Sequence, residues 1–379
     1  MPTTITAADP AHFLSLVPRL LGYTPARSLV LVPMRGSRSL GALRVDLPPD
    51  ELDGAEAVAA NVIGMVCRIP RADGMIAVIY TDASASLDLP GYALIAALDR
   101  HADACGLAVV DALTVAGDGW GSHRDPQRPE GGRPLAELER RLPPMPGDQR
   151  SGSDLPESSA QARADVAVAL QSLHGALEVL CGIPAGDTAR DGAAERSEDA
   201  AADIRIDPAA LEAACAFGDL PALFEDALGW DAGDRTPMRI AELAWCLNRP
   251  ALRDVALVQW SSDRAGGERA IEAQQRWEDG ADYPADLASV MWGEGERPDP
   301  GRLETALTLV RHVAATAPTP LRAGPLAMCA WLAWALGRST HAEHYAVLAH
   351  DVEPDHGLAD IVRSFVAAAH LPDWAFRER

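Results

Sequence analysis

Asp82 and Asp118 each follow a run patterned as a buried strand, and Asp46 lies near the end of another. Ligand sites of α/β sheets gather at the carboxyl ends of parallel strands, so Asp82 and Asp118 are expected to share one edge. The run holding Asp46 follows its predecessor through the short link 35–41, too short for a parallel crossover, and an antiparallel hairpin is expected to put Asp46 at the opposite edge. That weakens a three-carboxylate metal site. The competing reading is that each aspartate caps a turn or a helix, accepting from nearby backbone N–H groups.

Arg44 and Asp46 alternate with Leu43, Val45 and Leu47, which places the two charges together on the face away from the core. Such a pair binds an anion or neutralises itself. The run Gly117–His123 (GDGWGSH) carries an indole at Trp120, a hydroxyl at Ser122 and an imidazole at His123, and reads as a flexible binding loop. Adjacent Ser and His side chains rarely achieve the geometry of a nucleophile and its base, and no G-x-S-x-G elbow accompanies them. Arg44, Asp46, Asp82, Asp118, Trp120, Ser122 and His123 are therefore candidates for ligand contact, and no residue is assigned a catalytic role.

Two further clusters stand late in the chain. His341, His344, His350 and His356 lie among Asp351, Glu353 and Asp355, but without the HExxH spacing, so a solvated helix end is expected and no metal site is assigned. Eight of the nine tryptophans follow residue 200, mostly at apolar helical positions. These read as core with ring N–H groups at its rim, or as a groove for a partner, with Trp331 and Trp334 as the contact candidates.

The elements that must position these groups change character along the chain. Residues 1–118 alternate short β-rich runs (28–34, 42–47, 75–80, 107–116) with helical patterns (8–21, 51–69, 90–105), predicting an α/β domain with a mixed sheet and flanking helices. Residues 119–154 are dense in Gly, Pro, Arg and Asp and read as a flexible loop or linker with one short helical candidate, 135–142. Within 155–185, residues 160–181 form one bridging helix, and 186–206 read as a second linker. From 207 to 379 helical spacing dominates: 209–217, 220–228, 236–247, 250–260, 285–291, 300–316, 320–336, 340–349 and 355–368. An all-α domain follows, repeat-like because Ala342, Ala346, Ala349 and Pro354 echo one tetratricopeptide hairpin.

Composition narrows the chemistry. None of the 33 basic residues is lysine, which removes Schiff-base, P-loop, kinase and Ser-Lys mechanisms as usually built. A net charge of −22 argues against nucleic acid and favours solubility or attraction of cations. No leader pattern opens the sequence, and its longest apolar stretch, 325–336, is short of the ~20 residues that span a bilayer, so a cytoplasmic protein off the membrane is expected. The six cysteines form no CxxC pair and read as reduced residues.

The segment Phe13–Val32 (FLSLVPRLLGYTPARSLVLV) resembles the start of the actinobacterial domain of unknown function 4192, a leucine-rich helix leading through Gly-aromatic-x-Pro to a Ser-Leu-Val strand. Gly41–Pro48, Val78–Asp82, Val110–Val115, Trp120 with Ser122 and Pro129–Gly131, and Pro325–Trp334 are similar to its later segments. The family pattern has adjacent cysteines before Pro-Glu-Gly; Asp125–Arg128 stand here instead, so the redox or metal role such cysteines imply is not expected. The resemblance implies no activity and no cofactor. The expected function is a non-catalytic scaffold, sensing a small molecule or binding a protein; the alternative is a hydrolase or carboxylate-metal enzyme using Asp82 and Asp118 with Arg44 or His123.

Overall fold

The computed structural model describes residues 9–48, 54–142, 145–181 and 206–377. Backbone contacts divide the chain into two units, Met1–Gly152 with Phe376–Arg379, and Ser153–Ala375.

The first unit opens with α1 (Pro10–Leu21). Asp9 accepts the His12 N–H at its start, Pro10 fits the first turn, and Gly22 ends it in the left-handed region at φ 86°. Strands β1 (Ser28–Arg35), β2 (Arg38–Ser39) and β3 (Leu43–Asp46) follow, then α2 (Ala55–Cys67), β4 (Gly74–Tyr80), α3 (Tyr92–Ala104), β5 (Ala108–Val115), β6 (Trp120–Ser122) and α4 (Ala136–Arg141). The sheet runs β2-β1-β4-β5-β6, with β3 also paired to β1. Among the described residues only β4 and β5 pair in parallel, the two strands of a βαβ unit closed by α3.

Period-two alternation explains why both faces are covered. Leu29, Leu31, Ala77 and Ile79 join the cluster shared with α2 and α3, while Val30, Val32, Val78, Leu113 and Trp120 join the one shared with α1.

One expectation about this sheet is overturned. Strand β1 is antiparallel to both β3 and β4, so those two run the same way, and Ser28 faces Asp46 on one side and Tyr80 on the other. Two successive reversals restore the direction, and Asp46 lies at the same edge as the end of β4.

The boundary also moves. The sequence places it at 118, but residues 119–152 contain β6 and α4 and belong to the first unit. Trp120 is buried, its backbone bridges Arg133, and the Thr24 hydroxyl and N–H reach Met145 and Gly147. The glycines of this stretch serve close approach. A methyl on Gly117 would stand 2.8 Å from the Asp82 carbonyl oxygen, and one on Gly119 2.5 Å from that of Gly131.

The second unit is helical: α5 (Ala160–Cys181), α6 (Pro208–Ala216), α7 (Leu220–Leu228), α8 (Pro237–Leu247), α9 (Pro250–Ser261), α10 (Arg264–Glu278), α11 (Ala285–Val290), α12 (Pro300–Thr316), α13 (Ala323–Ala335), α14 (Ser339–Val352) and α15 (Gly357–Ala367). Asp or Thr caps followed by Pro start α6, α8 and α12. The helix read as a bridge, α5, is part of this unit, burying Leu170, Leu173 and Leu177 in its core. The expected linker 186–206 lies outside the described residues except for its last position. Glu225 ties three helices together: it receives both terminal nitrogens of Arg302, at 2.7 and 2.6 Å, and the Gln259 amide at 2.9 Å.

Helix α10 is absent from the sequence-based reading. Its glycine pair, Gly266-Gly267, reads as a break, and it buries only Gly267, Ala270 and Ala273. A methyl on Gly267 would lie 2.0 Å from Gln259 Oε1, so the glycine lets α10 approach α9 closely.

Candidate functional site

The candidate residues of the α/β unit separate into five local arrangements. Arg44 donates from Nε to the Ser28 hydroxyl at 2.7 Å and pairs with Asp46, and its side chain is only 8% exposed. The two charges neutralise each other. Asp82 is exposed at the end of β4. Asp118 shares that edge and is exposed as well, but it is tied to the β4–α3 loop, where its carboxylate accepts from the Ser84 hydroxyl and, at 2.7 Å, from the Ala85 N–H. These bonds hold the Asp118 carboxyl below the usual carboxylate range. It therefore acts as a loop staple.

Ser122 and His123 follow one another along the chain, and their side chains take different partners. Ser122 Oγ donates to Asp111 Oδ1 at 2.6 Å, whereas His123 Nε2 meets Thr114 Oγ1 at 2.9 Å, beside the Pro90 carbonyl. Burial, with Arg128 nearby, lowers the His123 pKa and favours the neutral ring. Arg44, Asp118 and His123 bond different partners, and no hydrogen bond or ion pair joins any two of them among the described residues. Among the described residues no three His, Cys, Asp or Glu side chains stand close enough to share a metal ion.

Trp120 and Ser122 do belong to one concavity. A cleft of about 590 Å³ lies over β5 and β6, bordered by α1 and α4, with Asp111, Arg124, Asp125, Arg133 and Arg141 around it. Asp9, the cap of α1, pairs with Arg141 at 2.9 Å, and Arg133 pairs with Asp125 at 2.9 Å while lying 5.8 Å from the Trp120 ring centre. The Arg133 bond and the Gln127 N–H lower the Asp125 pKa. The Trp120 indole Nε1 is buried without an acceptor among the described residues. Asp111, Arg124 and Arg133 were not candidates in the sequence-based reading; the only signal was an Asp set between apolar residues of a strand.

The tryptophans proposed as partner contacts are not accessible. Trp331 and Trp334 are both fully buried, and their ring nitrogens donate to the Met291 and His370 carbonyls at 3.1 and 2.7 Å. Helix α13 is buried along its whole length, so its apolar run is core. The exposed tryptophans are Trp277 and Trp292, at 54% and 52%. Of the late histidines, His356 is buried as the cap of α15, and His350 lies 3.8 Å from Asp360.

The fold is thus a mixed-sheet α/β unit followed by a long all-helical unit. The chain belongs to the family described as Domain of unknown function (DUF4192), whose model matches residues 10–373. No curated protein and no solved structure matches it. Among the described residues one helix, α5, is long and apolar enough to cross a membrane by length and composition, and a third of its most apolar window is buried.

Proposed function

We propose that this chain is a non-catalytic binding protein whose α/β unit holds a small polar ligand in the cleft over β5 and β6. The observation that carries the reading is the buried, unpartnered Trp120 N–H beside Ser122 in a cleft walled by arginines and carboxylates. A buried donor without an acceptor is costly, and a ligand oxygen would relieve it. The cleft volume lies within the range of small-molecule sites. The arginines are paired, so a ligand with both acceptor and donor groups exchanges for existing bonds better than a simple anion does.

The enzyme alternative has less support, because Arg44, Asp118 and His123 are each engaged in a separate local contact and Asp82 stands exposed at the end of β4. A cytoplasmic location is part of the reading, and the acidic charge of −22 speaks against a nucleic-acid role. The test is thermal stabilisation of the whole chain by a panel of amino acids, nucleosides and sugar acids, repeated with Trp120→Phe and Arg133→Ala. Stabilisation by one class that both substitutions abolish supports the reading. No stabilisation by any class, or stabilisation indifferent to both substitutions, rejects it.

A further inference from the structure

The helical unit holds a second concavity, independent of the α/β cleft. It is a groove of about 640 Å³ between α9, α10, α11 and the start of α15, lined by Val258, Leu287, Met291 and Leu358 with three aromatic residues, Trp277, Tyr283 and Trp292. Trp277 and Trp292 are half exposed, although large aromatic side chains normally surrender most of their surface on folding. One wall is fixed in advance. Trp292 packs edge-on against Phe365 at 5.5 Å, its carbonyl meets His370 Nε2 at 3.3 Å, and the adjoining Met291 carbonyl accepts from Trp331. Gly293, at φ 82°, leaves no room for a side chain against Pro372 and Trp334.

The charges around this groove select the occupant. Arg253 donates from Nε to Asp254 at 2.8 Å, so that pair is internally neutral. Glu278, also on the lining, accepts from the Gln274 amide at 3.1 Å, and among the described residues it joins no ion pair. Burial, with Asp254 and Asp286 nearby, raises the Tyr283 pKa and keeps its ring neutral. Aromatic faces and an uncompensated carboxylate both attract a cation, and apolar walls accept the hydrocarbon that carries it.

We propose that this groove binds a small organic cation, an ammonium group on an apolar or aromatic body, with Glu278 as its counter-ion and Trp277, Trp292 and Tyr283 as its aromatic walls. The volume fits a small molecule, whereas a helical segment of a partner needs several turns of groove.

The test is calorimetric titration of the full chain with benzyltrimethylammonium, with competition by neopentylbenzene, which has the same shape without the charge. The cation is expected to bind at one site, and Glu278→Gln and Trp277→Ala are each expected to weaken it about fivefold or more. Both positions are exposed, and unchanged thermal unfolding of the variants verifies that they fold. Equal affinity for the neutral analogue, unchanged affinity in Glu278→Gln, or no binding of the cation overturns the proposal. So does binding confined to a basic amphipathic peptide while the small cation remains inert.

Discussion

Ser122 and Asp111 are joined by a 2.6 Å hydrogen bond between the antiparallel strands β6 and β5. The hydroxyl is committed to an acceptor that sits outside any histidine pair, which is the arrangement of a structural serine. Fluorophosphonate probes are expected to leave the native protein unlabelled, as peptide mass spectrometry would establish. Ser122→Ala removes a charge-assisted bond and is expected to cost about 1–2 kcal/mol in urea unfolding. Labelling at Ser122 would restore the hydrolase reading.

Glu242 on α8 gives the helical unit an unusual dependence on pH. Burial raises its carboxyl to about 7, with Arg239 opposing and Glu212 adding to the shift. The folded state therefore holds this proton more tightly than the unfolded chain, and the contribution is favourable at low pH. It is lost as pH rises from the ordinary glutamate value near 4.5 through about 7. Glu242→Gln is expected to remove that fall, leaving the variant about 2 kcal/mol more stable than the parent near pH 8. Parallel stability curves for the two proteins between pH 5 and pH 8 would contradict the assignment.

The two kinds of tryptophan should respond oppositely to truncation. Trp334→Ala empties a fully buried site packed against Phe365 and Trp374, and is expected to cost about 3–5 kcal/mol. Trp277→Ala, at a half-exposed ring, is expected to change stability by about 0.5 kcal/mol or less. Denaturant midpoints of the two variants compare them directly.

Gly119→Ala is expected to loosen the β5–β6 hairpin, because the new methyl meets the Gly131 carbonyl at 2.5 Å and backbone must yield. Amide exchange at Trp120 and Arg133, which bond each other, should accelerate while exchange in α12 and α13 stays unchanged. Unaltered protection at Trp120 would show that the loop has room to give.

Helices α7 and α12 have their sequence-predicted ends, because Pro in the first turn with an aspartate cap marks each start. Strands β1 and β4 are legible for a related reason: both faces are buried, so their apolar runs are continuous. Strand β6 was hidden because three residues containing a glycine carry no periodicity, and its pairing is fixed by partners on β5. Helix α10 was hidden by the glycines that seat it. Of the candidate site, Trp120 and Ser122 share a cleft, but their neighbours Arg124, Arg133 and Arg141 come from separate segments brought together only by folding. Trp331 and Trp334 follow the core reading and not the partner reading; the sequence leaves both open because helical spacing identifies an apolar face without telling whether another helix covers it. Asp46 was misplaced for want of the second reversal at β1.

The backbone bridge between Trp120 and Arg133 has a consequence for the molecule in a crowded solution. Arg133 gives its N–H to the Trp120 carbonyl and takes the Trp120 N–H in return, at 2.7 and 2.9 Å. The outer margin of the sheet is thereby sealed at β6 by the chain's own loop. At the far margin, β2 is two residues long with Arg38, and β3 is four residues long with Arg44 and Asp46. Short, charged or self-paired margins are poor templates for a passing strand, so at β2, β3 and β6 the sheet resists recruiting other chains into aggregates.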